Sequence, residues 1–459
     1  MLNKAPDRSL LNRLAQELRA DIDARRLPAG TRLPSVRMLA RARGVSAFTA
    51  AAVYERLVAL GEVEARRGSG YFVAGRVAAI RPPRGREVPS DSLWESRDDP
   101  QASMIRVDAG CGWLPLDWLS HEAIRAALRA AARSPVLGLG YGSPQGLAAL
   151  REQFAMGLRA RGLLVDAERV LTTQGASQAL DLIVRELLEP GDTVMVEDPA
   201  YPPLLDMLRA RRVNLVGVPR TADGPDADAL ARAVRRRAPQ LFFTNTTLQN
   251  PTGTTTTLPV AHRLLELAEL YDFLIVEDDI YAELAPTATA SLAVLDQCRR
   301  VLLVHSVSKT IAPDLRVGYV VAPPAVHKRL VRAKARAALS SSAVVEQVVL
   351  DILTRGHYRR HLETLRRRLG DAQLAVQAAF AQRQVEIAFR PGGGMFLWAR
   401  LPGSIPGGKL WRLAAEHGVL LAPGELFQVS GRATPFWRFN VAHADAADLY
   451  DFVGRLAPS

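Results

Sequence analysis

The sequence predicts an α/β protein in two parts. A small basic helical block stands at the N-terminus. A large body follows, built on a mostly parallel sheet with a smaller α+β lobe at its end. Three observations predict this. Residues 1–86 hold 17 Lys/Arg against 7 Asp/Glu, within a 459-residue chain of net charge +12, so the rest is nearly neutral. Residues 76–104 gather Pro82, Pro83, Pro89, Ser90, Ser92 and Pro100 with few apolar residues, as a linker does; if flexible it spans roughly 30 Å. From Ile105 onward, short apolar strands alternate with helical stretches, the pattern of a parallel sheet whose ligands lie at the carboxyl ends of the strands.

Composition narrows the function classes. A chain 48% hydrophobic and 23% charged is globular, and no apolar run reaches the ~18 residues that span a bilayer. The start, Met1 to Arg26, is charged and periodic rather than leader-like, so a cytoplasmic protein is expected. Cys111 and Cys298 make neither a disulfide framework nor a zinc spacing, and no metal site is expected. A basic block on a neutral body points to nucleic acid.

Within that block, Leu10, Leu11, Leu14, Leu18 and Ile22 recur at helical spacing until Pro28-Ala29-Gly30. Ser35 caps a short helix through Arg41, with Val36, Leu39 and Ala40 inward. Gly44 makes the turn, and Ser46 caps a third helix, Ala47 to Leu60, with Phe48, Val53, Leu57 and Leu60 expected inward. That is a helix-turn-helix. Glu62 to Arg66 and Tyr71 to Val73 then alternate around Arg67-Gly68-Ser69-Gly70, a hairpin whose glycines permit positive φ.

Leu27-Pro28-Ala29-Gly30-Thr31-Arg32-Leu33-Pro34-Ser35-Val36-Arg37, Gly44-Val45-Ser46, Tyr54-Glu55-Arg56-Leu57 and Arg66-Arg67-Gly68-Ser69-Gly70 resemble the winged-helix domain of the GntR family. The resemblance implies a double-stranded DNA operator as partner. Ser35 and Arg37 would meet phosphates, the helix after Ser46 would enter the major groove, and Ser69 and Gly70 at the wing tip would approach the minor groove. Arg32 and Arg66 are further expected contacts, and Arg41 and Arg43 either contact the backbone or form a solvated face. One departure stands out. The family commonly has Ser-Arg at the start of the recognition helix, whereas Ser46 is followed here by Ala47 and Phe48, leaving Thr49 as the polar candidate for a base.

In the body, Val170–Thr173, Thr193–Val196, Leu241–Thr244, Phe273–Val276, Val301–Val304 and Val317–Val321 read as buried strands, separated mostly by helices such as 226–237 and 259–271. Short strands at 395–399 and 436–441 belong to the smaller lobe. Chemistry-bearing residues follow the strands. Ser306-Val307-Ser308-Lys309 with Arg316 offers an amine for a Schiff base beside two hydroxyls and a cation, which suits a phosphate-bearing aldehyde. Thr172 to Gln178 is a strand-to-helix turn whose Ala176 and Ser177 N–H groups suit a phosphate. Tyr201 can stack on a ring, Asn250 in Asn250-Pro251-Thr252-Gly253 can bond to a ring oxygen, and Asp278 with Tyr281 supplies a carboxylate and a phenol. His357 and His361 stand four apart without a third ligand and read as a solvated face. Gly392-Gly393-Gly394 reads as a turn.

The order and spacing of N-P-T-G, D-x-x-Y and S-x-S-K resemble the fold-type I, class I aminotransferases. The resemblance implies pyridoxal phosphate, with Lys309 as its Schiff-base lysine and Asp278 at the pyridine nitrogen. Asn250 and Tyr281 would meet the ring oxygen and Tyr201 the ring face, while Ala176, Ser177, Ser306, Ser308 and Arg316 would hold the phosphate. Tyr141, in Gly140-Tyr141-Gly142-Ser143-Pro144, would reach the phosphate of a neighbouring subunit, which implies a homodimer. Arg438 would take a substrate carboxylate. A winged helix, a linker and this body in that order resemble the MocR subfamily of GntR regulators. The implied division is a DNA-binding domain over residues 1–75, a linker over 76–104 and a cofactor-binding body over 105–459. The implied function is a transcription regulator in which an amino compound, or the cofactor itself, modulates DNA binding in a head-to-tail dimer. A true aminotransferase carrying a DNA-binding arm is the alternative, and turnover is left open.

Overall fold

The computed structural model describes residues 8–24, 26–66, 68–74, 105–133, 139–403 and 407–456. The chain divides into two compact units, 1–87 and 88–459. The linker expected at 76–104, Arg67 and the side chain of Leu10 lie outside the described residues.

In the first unit, helices α1 (Arg8–Asp23), α2 (Val36–Arg43) and α3 (Ala47–Ala59) precede a hairpin of β1 (Val63–Arg66) and β2 (Gly70–Val73). Ser35 and Ser46 cap the second and third helices, their hydroxyls accepting from the N–H groups of Met38 and Thr49 at 3.3 and 3.0 Å. Gly44 closes α2 in the left-handed region at φ 63°. Tyr54 is wholly buried. Its hydroxyl donates to the Pro34 carbonyl at 2.7 Å and its ring stacks on Tyr71, so one side chain ties α3 to the start of α2 and to the wing.

The inward face of α3 is Thr49, Ala50, Val53, Tyr54 and Leu57. This corrects the expectation for Phe48 and Leu60, which are 60% and 52% exposed. Phe48 lies one residue, about 100°, off the buried stripe. Leu60 caps the helix where the chain turns away at Gly61, φ 71°.

The second unit opens with the two-residue strand β3 (Val107–Asp108) and then builds an eight-stranded sheet. Its strands are β4 (Val170–Thr173), β5 (Thr193–Asp198), β6 (Asn214–Thr221), β7 (Gly224–Pro225), β8 (Leu241–Thr244), β9 (Leu274–Asp278), β10 (Val301–Ser306) and β11 (Gly318–Val321). Their order is β4-β11-β10-β9-β8-β5-β6-β7. Strands β5, β6, β8, β9 and β10 run parallel, and β11 runs against both of its neighbours. Every residue of β4, β8, β10 and β11 is buried, because helices cover both faces. Phe242 and Leu303 enter the core on one face, and Phe243 and Leu302 the core on the other, as a period of two requires.

The smaller lobe contains β12 (Glu386–Ile387), β13 (Phe396–Arg400), β14 (Val419–Leu420), β15 (Ala422–Pro423) and β16 (Phe436–Asn440). Four of these form a sheet in the order β12-β13-β16-β15, against which the long helix His357–Ala381 packs Leu365, Leu369 and Phe380. The remaining strand, β14, pairs with β3, so residues 109–113 run along this lobe.

The loops at the strand ends are held by a buried ion pair. Arg220 of β6 and Glu197 of β5 meet at 2.5 Å with side chains 0% and 3% exposed. Arg220 also donates to the Thr254 hydroxyl at 2.8 Å and to the carbonyls of Asn245 and Thr254. Glu197 accepts from Gln249 at 3.0 Å and from the Thr244 hydroxyl. The loop 245–254 that carries Asn250 is thus fastened from beneath. Removing one partner strands a buried charge, so Glu197→Gln or Arg220→Met is expected to destabilise the body by about 3–5 kcal/mol. Denaturant unfolding checks this, and a loss under about 1 kcal/mol would contradict the fastening role.

Candidate cofactor site

Each strand delivers one piece of a site at its carboxyl end. After β10, a 3-10 turn (Val307–Lys309) lifts the Lys309 amine into the interior, where it donates to the Gly112 carbonyl at 2.6 Å. Burial, aided by the nearby Arg438 cation, lowers the Lys309 pKa to about 8. After β9, Asp278 accepts from the Ile280 N–H at 3.3 Å. Burial raises its pKa to about 7, with Asp279 adding to the rise and the Ile280 bond opposing it.

The anion cradle forms where three segments meet. Ser306 and Ser308 hydroxyl oxygens lie 2.8 Å apart, and Ser306 donates to the Val317 carbonyl at 2.9 Å. Arg316, itself at φ 50°, donates to the Ser308 hydroxyl at 3.3 Å and to the Gln174 carbonyl at 3.2 Å. Ala176 and Ser177 open the helix Gly175–Leu187, whose first N–H groups have no partner within the helix. A Cβ on Gly175 would stand 2.5 Å from Arg316 Nη2, so only glycine lets the guanidinium lie over this helix end. Two hydroxyls, a guanidinium and a helix N-terminus make a phosphate site.

Between cradle and lysine lie the ring contacts. Tyr281 is buried, edge-on to Phe396 at 5.6 Å, and hydrogen-bonds to the Asn250 side chain. Tyr201 hydrogen-bonds to Ser177 and lines a small cavity with Asn250 and Asp278. Arg438 of β16 is 2% exposed and held between the rings of Phe396 and Phe427 at 4.8 and 4.9 Å. It donates to the Asn250 side-chain oxygen at 2.9 Å and to the Gly110 carbonyl at 2.5 Å, while its Nε is buried without a partner among the described residues. The donor set fits pyridoxal phosphate: an amine for the aldehyde, an acid for the ring nitrogen, amide and phenol for the ring oxygen, and a cradle for the phosphate.

Of the residues expected at this site, only Tyr141 stands apart, 89% exposed. Several participants escaped sequence reasoning. The carbonyl of Gly110, which Arg438 meets, carries no side-chain signal at all. On the far side of β10, His305 bonds to the Asp279 carbonyl at 3.0 Å and faces Glu283 at 3.4 Å. Tyr358 reaches Glu283 at 2.7 Å and the Thr310 hydroxyl at 2.8 Å. Arg161, Glu283, His305, Tyr319 and Tyr358 line a cavity of about 200 Å³ there. His361 meets the Thr310 carbonyl at 2.8 Å, which gives it a partner other than a metal.

On the winged unit, Arg32, Ser35, Arg37, Ser46, Arg66, Ser69 and Gly70 are exposed. Thr49 is not. It is 7% exposed, and its hydroxyl lies 2.8 Å from that of Ser46, so it completes the helix cap and is unavailable to a base. Arg43 pairs with Glu17 at 2.9 Å.

The lowered Lys309 pKa sets a pH profile. An amine must lose its proton before it attacks an aldehyde, and at pH 7 a group of pKa about 8 is roughly 10% neutral, against well under 1% for an ordinary lysine. Uptake of added pyridoxal phosphate by cofactor-free protein is therefore expected to accelerate as pH rises and to level off above about pH 8. Stopped-flow absorbance checks it. A rate still climbing beyond about pH 10 would contradict the assignment of a lowered pKa.

The aminotransferase class I and II family model matches residues 114–456, and the gntR family model of bacterial regulatory proteins matches residues 10–73. An uncharacterized HTH-type transcriptional regulator of Escherichia coli, YdcR, is 30% identical over 447 residues, covering 94% of each chain. The probable rhizopine catabolism regulatory protein MocR of Rhizobium meliloti is 29% identical over 456 residues, covering 92% of this chain and 88% of its own. Among solved structures, the α-aminoadipate aminotransferase LysN of Thermus thermophilus, complexed with N-(5'-phosphopyridoxyl)-L-leucine, aligns with a TM-score of 0.70 at 29% identity, over 80% of this chain and 97% of its own. The chain therefore belongs to the aminotransferase class I and II family and, through its N-terminal gntR domain, to the MocR subfamily of GntR regulators, with pyridoxal phosphate as its cofactor.

Proposed function

We propose that this chain is a transcription regulator in which an amino compound, or pyridoxal phosphate itself, engages the site at Lys309 and so changes the affinity of the winged helices for an operator. The observation that carries the reading is that Lys309, Asp278, Asn250, Tyr281 and the Arg316 cradle converge in the same chain as a gntR domain. That HTH-type regulators match over nearly the whole length supports it. The working unit is a cytoplasmic homodimer, assembled head to tail, with residues 1–75 binding DNA, 76–104 linking and 105–459 sensing. The wide exposure of Tyr141 in the isolated chain supports a partner subunit's phosphate as its target.

Bound pyridoxal phosphate supplies an aldehyde carbon that amines attack reversibly and a ring that draws electrons. The chain's own residues do the rest. Asp278 keeps a proton on the ring nitrogen, Asn250 and Tyr281 orient the ring oxygen, and the Arg316 cradle fixes the phosphate end. Arg438 takes an effector carboxylate through its planar fork. The signal starts at two carbonyls. Lys309 bonds to Gly112 and Arg438 to Gly110, so both groups that meet an effector also hold residues 110–112. That segment follows closely on the chain leading from the winged helix. An amine that displaces Lys309 would free the lysine to take up the Gly112 carbonyl, while Arg438 would leave Gly110 for an effector carboxylate, and the entry segment shifts between two arrangements.

An amine that changes the visible absorbance is expected to change operator affinity about 5- to 150-fold, the usual range of coupling between sites. Arg438→Gln should blunt the response to carboxylate-bearing amines by at least roughly tenfold while retaining the cofactor. Titration with parallel absorbance and DNA-binding readouts checks both. Colour changes that leave DNA affinity untouched for every amine, or sustained keto-acid formation without an effect on DNA, would favour an aminotransferase instead.

A further inference from the structure

The outward face of α3 lacks the groups by which recognition helices usually read bases. Ser46 and Thr49 are committed to each other and to the helix cap. Arg56 turns back to Asn12, donating at 2.7 Å. What remains outward over the first two turns is Ala47 and Phe48, then the partly exposed Ala51 and Ala52, then Glu55. Phe48, 60% exposed, is the only large side chain on the first turn of that face. Yet the unit that carries it is basic. Arg32, Arg37 and Arg41 are exposed and form no ion pair among the described residues.

An exposed apolar ring on the first turn of the second helix of a helix-turn-helix, in a unit that also exposes unpaired arginines, fits one occupant. The cations select a polyanion, and residues at this end of a recognition helix are the ones that meet base edges. The major groove has one apolar feature, the C5-methyl of thymine, which phenylalanine and alanine side chains contact. Alanines at 47, 51 and 52 add no bulk, so the helix can approach closely. We propose that Phe48 is a specificity-determining residue that reads thymine methyl groups, so that the operator half-site is chosen by methyl positions and not by an arginine on guanine. This rests on the gntR reading of the first unit.

The test uses the full-length protein with pyridoxal phosphate bound. A duplex with a randomised core is selected for binding, and each thymine of the enriched half-site is replaced in turn by uracil, which pairs alike but lacks the methyl. At one or two positions per half-site, uracil is expected to weaken binding roughly three- to fivefold at fixed salt, as loss of one buried methyl implies. With Phe48→Ala the thymine-to-uracil ratio at those positions should fall to about 1, whereas Phe48→Leu should keep most of it. Salt-sensitive, sequence-selective binding in which no thymine methyl matters, or an unchanged ratio in Phe48→Ala, overturns the assignment and leaves the DNA-binding reading standing. A protein that enriches no sequence and binds no duplex overturns the DNA-binding reading, and this proposal with it.

Discussion

A half-buried ammonium group beside a second, buried cation is the constraint on which the site depends. Lys309 and Arg438 share a water-poor interior whose near carboxylate, Asp278, is itself pushed toward its neutral form. No folded chain gains stability from such a grouping, since burial penalises each charge. The arrangement persists because each polar group is given a fixed partner: Gly112 for the lysine, Gly110 and Asn250 for the arginine, Ile280 for the carboxylate. Perturbed groups gathered in one interior are the physical signature of a site built for chemistry or sensing.

Those partners come from distant parts of the chain, and the fold is what brings them together. The parallel strands aim their carboxyl ends at one place, while the pairing of β3 with β14 carries residues 109–113 along the small lobe and across the site. The Glu197–Arg220 pair makes the Asn250 loop stiff enough to hold an amide against Arg438. Sheet, lobe and entry segment therefore meet at Lys309 and Arg438.

Much of this was legible in the sequence, for physical reasons. Buried strands are continuous apolar runs, so six of the eight strands of the large sheet could be read to within two residues, whereas the half-exposed β6 and the two-residue β7 were missed. Side chains that touch a cofactor are chemically marked, which is why Lys309, Asp278, Asn250, Tyr281 and Arg316 stand together as their motifs implied. Within the site and the third helix, what could not be read was of two kinds. A backbone carbonyl such as that of Gly110 has no residue-type signature. Facing within a helix was misjudged where type and position conflicted: Phe48 is apolar yet outward, and Thr49 is polar yet buried, because the periodicity set by Ala50, Val53 and Leu57 outweighs the character of a single residue. That same inversion makes the recognition helix unusual.

The most direct test of the account is the visible spectrum of the purified protein beside that of Lys309→Ala. A band near ~420 nm from the lysine-bound cofactor is expected in the unaltered chain and not in the variant. A protein that stays colourless when pyridoxal phosphate is added, or a band that survives the loss of Lys309, would contradict it.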